Sequence, residues 1–111
     1  MPGRNDVPAI GVKELKERRD RKRPHVLVDV REPGEYATAK IEGSLLIPLG
    51  QLMSRVGEIP KDLEVIVHCH HGGRSAQAVR WLLQNGVKDV KNLDGGIDAW
   101  SCEIDPQVPR Y

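Results

Sequence analysis

Phenylalanine is absent from these 111 residues, and the aromatic complement is two tryptophans and two tyrosines. A core built from this chain must rest on Val, Leu and Ile. Cysteine is nearly as scarce. Two residues, Cys69 and Cys102, cannot make the disulfide framework of a small secreted domain. A reducing compartment, the cytoplasm, suits a chain whose thiols stay free. Net charge is missing as well: 17 Lys+Arg against 16 Asp+Glu leave +1, so whole-chain charge draws the protein to neither nucleic acid nor membrane. No apolar run is long enough to cross a bilayer. Residues 1–10 are polar and carry Pro2 and Pro8, unlike a secretory leader. What is present is a 39% hydrophobic content, which argues for a folded chain of one domain, 1–111, without repeats or low-complexity tracts.

The chain is organised around residues 65–79. Val65-Ile66-Val67 run into His68-Cys69, a glycine-bearing loop follows, and Arg74 opens a stretch with helical spacing. A short apolar run ending at a turn suits a buried parallel strand. Ala76, Val79, Leu82 and Leu83 repeat at steps of three and four, which predicts an amphipathic helix closed by Asn85-Gly86. Cys69 is therefore expected on a strand-to-helix turn, facing a helix N-terminus.

The flanking segments supply the rest of a sheet. Val7–Ile10 is a short edge strand, 12–20 a helix on the thin stripe of Val12 and Leu15, and His25–Val30 a buried strand. The basic run Arg18–Arg23 reads as a helix C-terminus and a solvated loop closed by Pro24, with docking of an acidic partner as its alternative. Pro33 opens a short helix through Tyr36-Ala37. Leu45-Leu46-Ile47 is a third strand, and Leu49, Leu52, Met53 and Val56 keep helical spacing up to Gly57–Pro60. Val87–Leu93 is a last strand, and Asp94-Gly95-Gly96 a tight turn into a helix over 97–102. The tail, 103–111, either packs across the surface or frays. Strands alternating with helices imply an α/β fold of three layers, a parallel sheet of about five strands with helices on both faces.

In such sheets ligands bind beyond the carboxyl ends of the strands, which is where Cys69 falls. A helix N-terminus and an adjacent cation favour the thiolate. Gly72 and Gly73 let the backbone turn its N–H groups inward, and Arg74 adds forked donors suited to an oxyanion. His70 and His71 line the loop mouth, Ser75 is expected to cap the helix, and His68 to pack within the strand. Asp29, Arg31 and Glu35 follow the first buried strand and border the same crevice, more as braces of the turn than as reacting groups.

Four readings of Cys69 compete. A core cysteine needs no glycine pair and arginine after it. A metal site from His68-Cys69-His70-His71 is disfavoured because neighbours on a strand point to opposite faces, so no metal is expected. A phosphatase that forms a cysteinyl-phosphate uses a loop one residue longer between Cys and Arg, and the shorter ring suits a single sulfur atom better than a phosphate. The fourth reading is sulfur transfer.

For that reading the chain resembles the rhodanese sulfurtransferases. Cys69-x-x-Gly72-x-Arg74-Ser75 looks like their active-site loop, and Asp29-Val30-Arg31-x-x-x-Glu35-Tyr36 like their first signature. Ile41-x-Gly43-Ser44 with Leu46-Ile47-Pro48 matches the second, and Leu93-x-Gly95-Gly96-Ile97-x-Ala99-Trp100 the closing one. Lys40 stands where the family often has His, and Ser44 where it often has Ala. The match spans about 7–102. The tail Ile104-Asp105-Pro106-x-x-Pro109-x-Tyr111 is similar to that of rhodanese domains fused to adenylating enzymes that load sulfur carriers.

The resemblance implies a rhodanese-like fold and an enzyme without cofactor. It would move a sulfane sulfur from thiosulfate or another donor to a thiol acceptor through a Cys69 persulfide. The backbone of His70 to Ser75 would hold the sulfur, and Arg74 would steer the donor. The alternative is a relay partner of a specific acceptor, a sulfur-carrier protein among the candidates, with little thiosulfate activity. Cys102 is expected to be a bystander rather than a resolving thiol. Both readings require a thiol that is reachable and amides that turn toward it.

Overall fold

The computed structural model describes residues 7–111. Five strands, β1 (Ala9–Ile10), β2 (His25–Asp29), β3 (Leu45–Leu46), β4 (Glu64–His68) and β5 (Val90–Leu93), form one sheet in the order β1-β5-β4-β2-β3. Every pairing is parallel, with Val26 opposite Val65, Val28 opposite Val67 and Val65 opposite Val90. The helices are α1 (Val12–Asp20), α2 (Pro33–Thr38), α3 (Leu52–Arg55), α4 (Gly73–Gln84) and α5 (Gly96–Glu103).

Alternation along the strands divides the core in two. Val28, Val65 and Val67 bury against Leu52 of α3 and Ala76, Val79 and Leu82 of α4. Leu27, Ile66 and Leu93 bury on the other face against Val12 and Leu15 of α1 and Ile97 and Trp100 of α5. With both faces covered, the central strands can be continuous runs of Val, Leu and Ile, which is why they stand out in the sequence.

Several boundaries differ from the sequence expectation. β5 starts at Val90 rather than Val87, because the chain spends residues 85–89 leaving α4. Gly86 takes φ +89°, the Val87 N–H donates back to the Leu82 carbonyl at 3.1 Å, and pairing resumes where the Asp89 carbonyl accepts the Val65 N–H at 2.8 Å. β2 ends at Asp29, although the Val30 N–H still reaches the His68 carbonyl at 3.1 Å. The 49–58 segment is not one helix but a 3₁₀ turn, the single turn of α3 and a second 3₁₀ turn, since Gly50 and Gly57 interrupt it. Met53 and Leu83, expected on buried stripes, face outward at 74% and 38% exposure. The tail packs: Val108 is buried, its carbonyl accepts the Ser101 hydroxyl at 2.5 Å, and Arg110 pairs with Asp98 at 3.0 Å. Of the basic run, Arg18 pairs with Glu64 and Arg19 reaches the Glu42 carbonyl.

Candidate active site

β4 delivers Cys69 to the start of α4. Gly72 makes the turn at φ +121°, a conformation that disfavours any side chain, and α4 begins at Gly73. Two amides of this bend face the thiol: Gly72 N–H lies 3.1 Å from Cys69 Sγ and Ser75 N–H 3.4 Å. The Ser75 hydroxyl is 3.3 Å from Sγ and 2.5 Å from Asn92 Oδ1. Ser75 therefore does not cap the helix as expected. Gly72 occupies that position, and the buried Ser75 faces the sulfur from the first turn.

Asn92 on β5 was not anticipated. It is fully buried, accepts from Ser75 and donates to the Gly72 carbonyl at 3.2 Å, so it ties both ends of the bend to the sheet. The signal was present: a polar residue two places after Val90 shares its face of the strand, where only an internally satisfied group belongs. α5 grips the same loop. Ile97 N–H donates to the Cys69 carbonyl at 2.9 Å and Asp98 N–H to the His70 carbonyl at 3.1 Å. The approach depends on Gly96, at φ +59°, where a Cβ would collide with the Cys69 and His70 carbonyls.

This wrapping corrects one requirement of the sequence reading. The amides do turn inward, but Cys69 is only 1% exposed, so the thiol is not open as expected. The bend, the Ser75 hydroxyl and the docked start of α5 enclose it.

Around the thiol runs a chain of charges. Arg74 donates both terminal nitrogens to Glu35, at 2.7 and 2.9 Å, which holds the Glu35 carboxyl down at about 2 against the opposing effect of partial burial. Arg31 and Asp29 are fully buried and paired, with contacts of 2.9 and 2.6 Å, and Arg31 also reaches the Ala39 carbonyl at 2.7 Å. Asp29 and Arg31 thus brace the carboxyl end of β2 and do not touch the thiol. Tyr111, also unanticipated, joins the two pairs: its hydroxyl accepts from Arg31 at 2.9 Å and donates to Glu35 at 2.8 Å.

The histidines differ sharply. His68 is fully buried, neither ring nitrogen meets a partner in good geometry, and burial pushes it down to about 4. His70 stacks on Tyr111 at 4.0 Å and on His71 at 3.9 Å, and is held below its ordinary value chiefly by burial. His71 is exposed, 3.8 Å from Asp98. The argument that adjacent histidines cannot converge does not extend past His68, where β4 ends. His70, His71 and Asp98 place potential ligand atoms within 4.8 Å of one another, although Asp98 is already engaged by Arg110. Cys102 is a free thiol, exposed on α5.

A model of the rhodanese-like domain matches residues 11–103. This chain belongs to the rhodanese-like family. Among curated rhodanese-like relatives, a sulfurtransferase of Allochromatium vinosum is 45% identical over 76 residues, 68% of this chain and 71% of that protein. An adenylyltransferase and sulfurtransferase, MOCS3 of Arabidopsis thaliana, is 33% identical over 126 residues, 96% of this chain but 27% of its own length. The chain thus spans most of one such relative and about a quarter of the other. A solved structure from Staphylococcus saprophyticus superposes with a TM-score of 0.80 at 36% identity, covering 88% of this chain and 97% of that one. Thiosulfate sulfurtransferase from Pseudomonas aeruginosa gives 0.80 at 29% identity over 86% of this chain and 19% of its own. Membership in the rhodanese-like family supports a sulfur-transfer role, and the parallel sheet with helices on both faces is the fold these structures share. Among the described residues no helix is long and apolar enough to cross a membrane.

Proposed function

We propose that the protein is a sulfurtransferase whose carrier is Cys69. The Cys69 thiolate attacks the outer sulfur of thiosulfate, the S–S bond breaks, and sulfite leaves with the bonding pair. A Cys69 persulfide remains. An acceptor thiolate (or cyanide) then attacks its terminal sulfur and restores the Cys69 thiolate, so each half-reaction balances without an external oxidant. The N–H groups of Gly72 and Ser75 hold negative charge on the sulfur in both states, while the Ser75 hydroxyl, whose one proton goes to Asn92, packs against it. Asn92 and the first turn of α5 keep those donors aimed. Arg74 supplies positive charge at the rim, shared with Glu35.

The observation that carries this reading is the pair of inward amides on a thiol placed after a central strand. A second reading, a relay component with little thiosulfate activity, is favoured by the pairing of Arg74 with Glu35, which leaves less positive charge for a small oxyanion. Rapid turnover with small molecules selects the first, and a slow reaction accelerated by a protein acceptor selects the second.

The decisive experiment is mass spectrometry after incubation with thiosulfate and, separately, with an organic persulfide. One added sulfur atom on the Cys69 peptide is expected, with none in Cys69→Ser. Sulfur on Cys102 alone, or equal loading of the serine variant, overturns the assignment.

A further inference from the structure

Nothing in the proposed chemistry requires Tyr111, yet it is tied to the site three ways. Its hydroxyl lies between Arg31 and Glu35, its ring is parallel to His70 within 8° at 4.0 Å, and the Arg31 guanidinium stands 5.7 Å from the ring centroid. The Glu35 carboxylate it touches is saturated. Oε1 accepts from Arg74 at 2.7 Å and from the Glu32 N–H at 3.0 Å, while Oε2 accepts from Arg74 at 2.9 Å and from Tyr111 at 2.8 Å. Four donors fill the four lone-pair directions of a carboxylate. Two of them, the Glu32 amide and the Tyr111 hydroxyl, fix the carboxylate independently of Arg74. Tyr111 is itself held by Arg31, which the buried pair with Asp29 immobilises at the end of β2.

The arginine beside the reacting loop therefore meets an incoming donor already neutralised. A sulfonate-bearing donor must displace a carboxylate that cannot swing away. A persulfide, whose transferable sulfur goes to the amides of the bend, makes no such demand. We propose that Tyr111 is a positioning residue that sets donor selectivity: its hydroxyl pins Glu35 on Arg74, withholding that charge from small oxyanion donors and favouring organic or protein persulfides. The inference deepens the sulfur-transfer reading of Cys69 and rests on it for its biological meaning.

The test needs a nucleophilic thiol that a small reagent reaches, and a Cys69 that neither reagent alkylates overturns the proposal. Cys69 of the full chain is alkylated with iodoacetate, an anion, and iodoacetamide, its neutral analogue, in a Cys102→Ser background, and the ratio of the two rates is read. Tyr111→Phe keeps the ring on His70 and removes the hydroxyl. The iodoacetate/iodoacetamide ratio is expected to rise about fivefold, less than a full hydrogen bond to a charged group can give, and the rise shrinks at high salt. Glu35→Gln raises the ratio further, and adding Tyr111→Phe to it changes nothing more, since the tyrosine acts through the carboxylate. In the same variant, loading of Cys69 by thiosulfate gains relative to loading by an organic persulfide. An unchanged ratio in Tyr111→Phe, an equal rise with both reagents, or additive effects in the double variant overturns the proposal. If instead no donor loads Cys69 in the parent protein, the sulfur-transfer reading fails while the alkylation ratio still decides whether Tyr111 governs the charge of Arg74.

Discussion

Two forked arginine–glutamate pairs, one at the start of β4 and one joining α4 to α2, are almost the same object. Arg18 meets Glu64, the first residue of β4, at 2.6 and 3.0 Å; Arg74, on the first turn of α4, meets Glu35 of α2 at 2.7 and 2.9 Å. Both carboxyls are held at about 2, in each case first by the arginine hydrogen bonds. Their surroundings differ. Glu64 also takes Lys91 at 2.9 Å, so its cluster laces α1, β4 and β5 together and faces nothing reactive. Arg74 stands instead on the first turn of the helix that cradles the thiol. The strength of an ion pair does not mark a site; the group that shares its charge does.

The contrast is tested most severely at Arg31, the buried anchor of the thiol end. Arg31→Met takes the guanidinium from the fully buried Asp29, whose carboxyl keeps the residue 31 N–H and has His68 Nε2 at 3.8 Å, and is expected to cost about 3 to 5 kcal/mol of unfolding free energy, measured by denaturant titration. A loss below about 1 kcal/mol would mean that the two ends are equally tolerant surface networks.

His68 sharpens the same point through pH. Its folded-state value of about 4 lies below the ordinary 6.5, so the unfolded chain binds more protons in that window and stability falls as pH drops from 6.5 toward 4. The loss approaches about 3 kcal/mol. In His68→Gln the slope of unfolding free energy across that window should be strongly reduced. A remnant from His70, held down by burial with the same sign, persists. A slope identical to the parent protein would show that His68 is protonated and accommodated in the fold.

The central unit was legible in the sequence because its signals are local. Val65-Ile66-Val67 is apolar on both sides, Gly72 is needed where φ turns positive, and Asn85-Gly86 ends α4. Which groups meet across the site was not. Glu35 and Arg74 are 39 positions apart and Arg31 and Tyr111 are 80 apart, and no periodicity in the chain connects them. Arg31 takes the buried Asp29, which leaves Glu35 to Arg74. Ser75 was misread because its residue type favours helix caps, while the positive φ of Gly72 already ends the turn without a side chain. The burial of Cys69 depends on α5 closing over the loop through Gly96, a tertiary contact that a tight-turn signature does not reveal.

The smallest expected effect lies at the quiet end. Glu64→Gln keeps the shape of the side chain but leaves Arg18 and Lys91 without their anion, at a cost of about 1 to 2 kcal/mol near neutral pH. The sign of its pH dependence follows from the depressed carboxyl. A group whose folded-state value lies below its unfolded one stabilises fully above the unfolded value, and that contribution fades as pH falls from about 4.5 to about 2. The deficit of Glu64→Gln relative to the parent protein should therefore be constant from pH 7 to 5 and shrink below that, while sulfur loading of Cys69 at neutral pH stays unchanged. A drop in loading would show that charge at the amino end of β4 reaches the thiol, and the division between a bracing end and a reacting end would no longer hold.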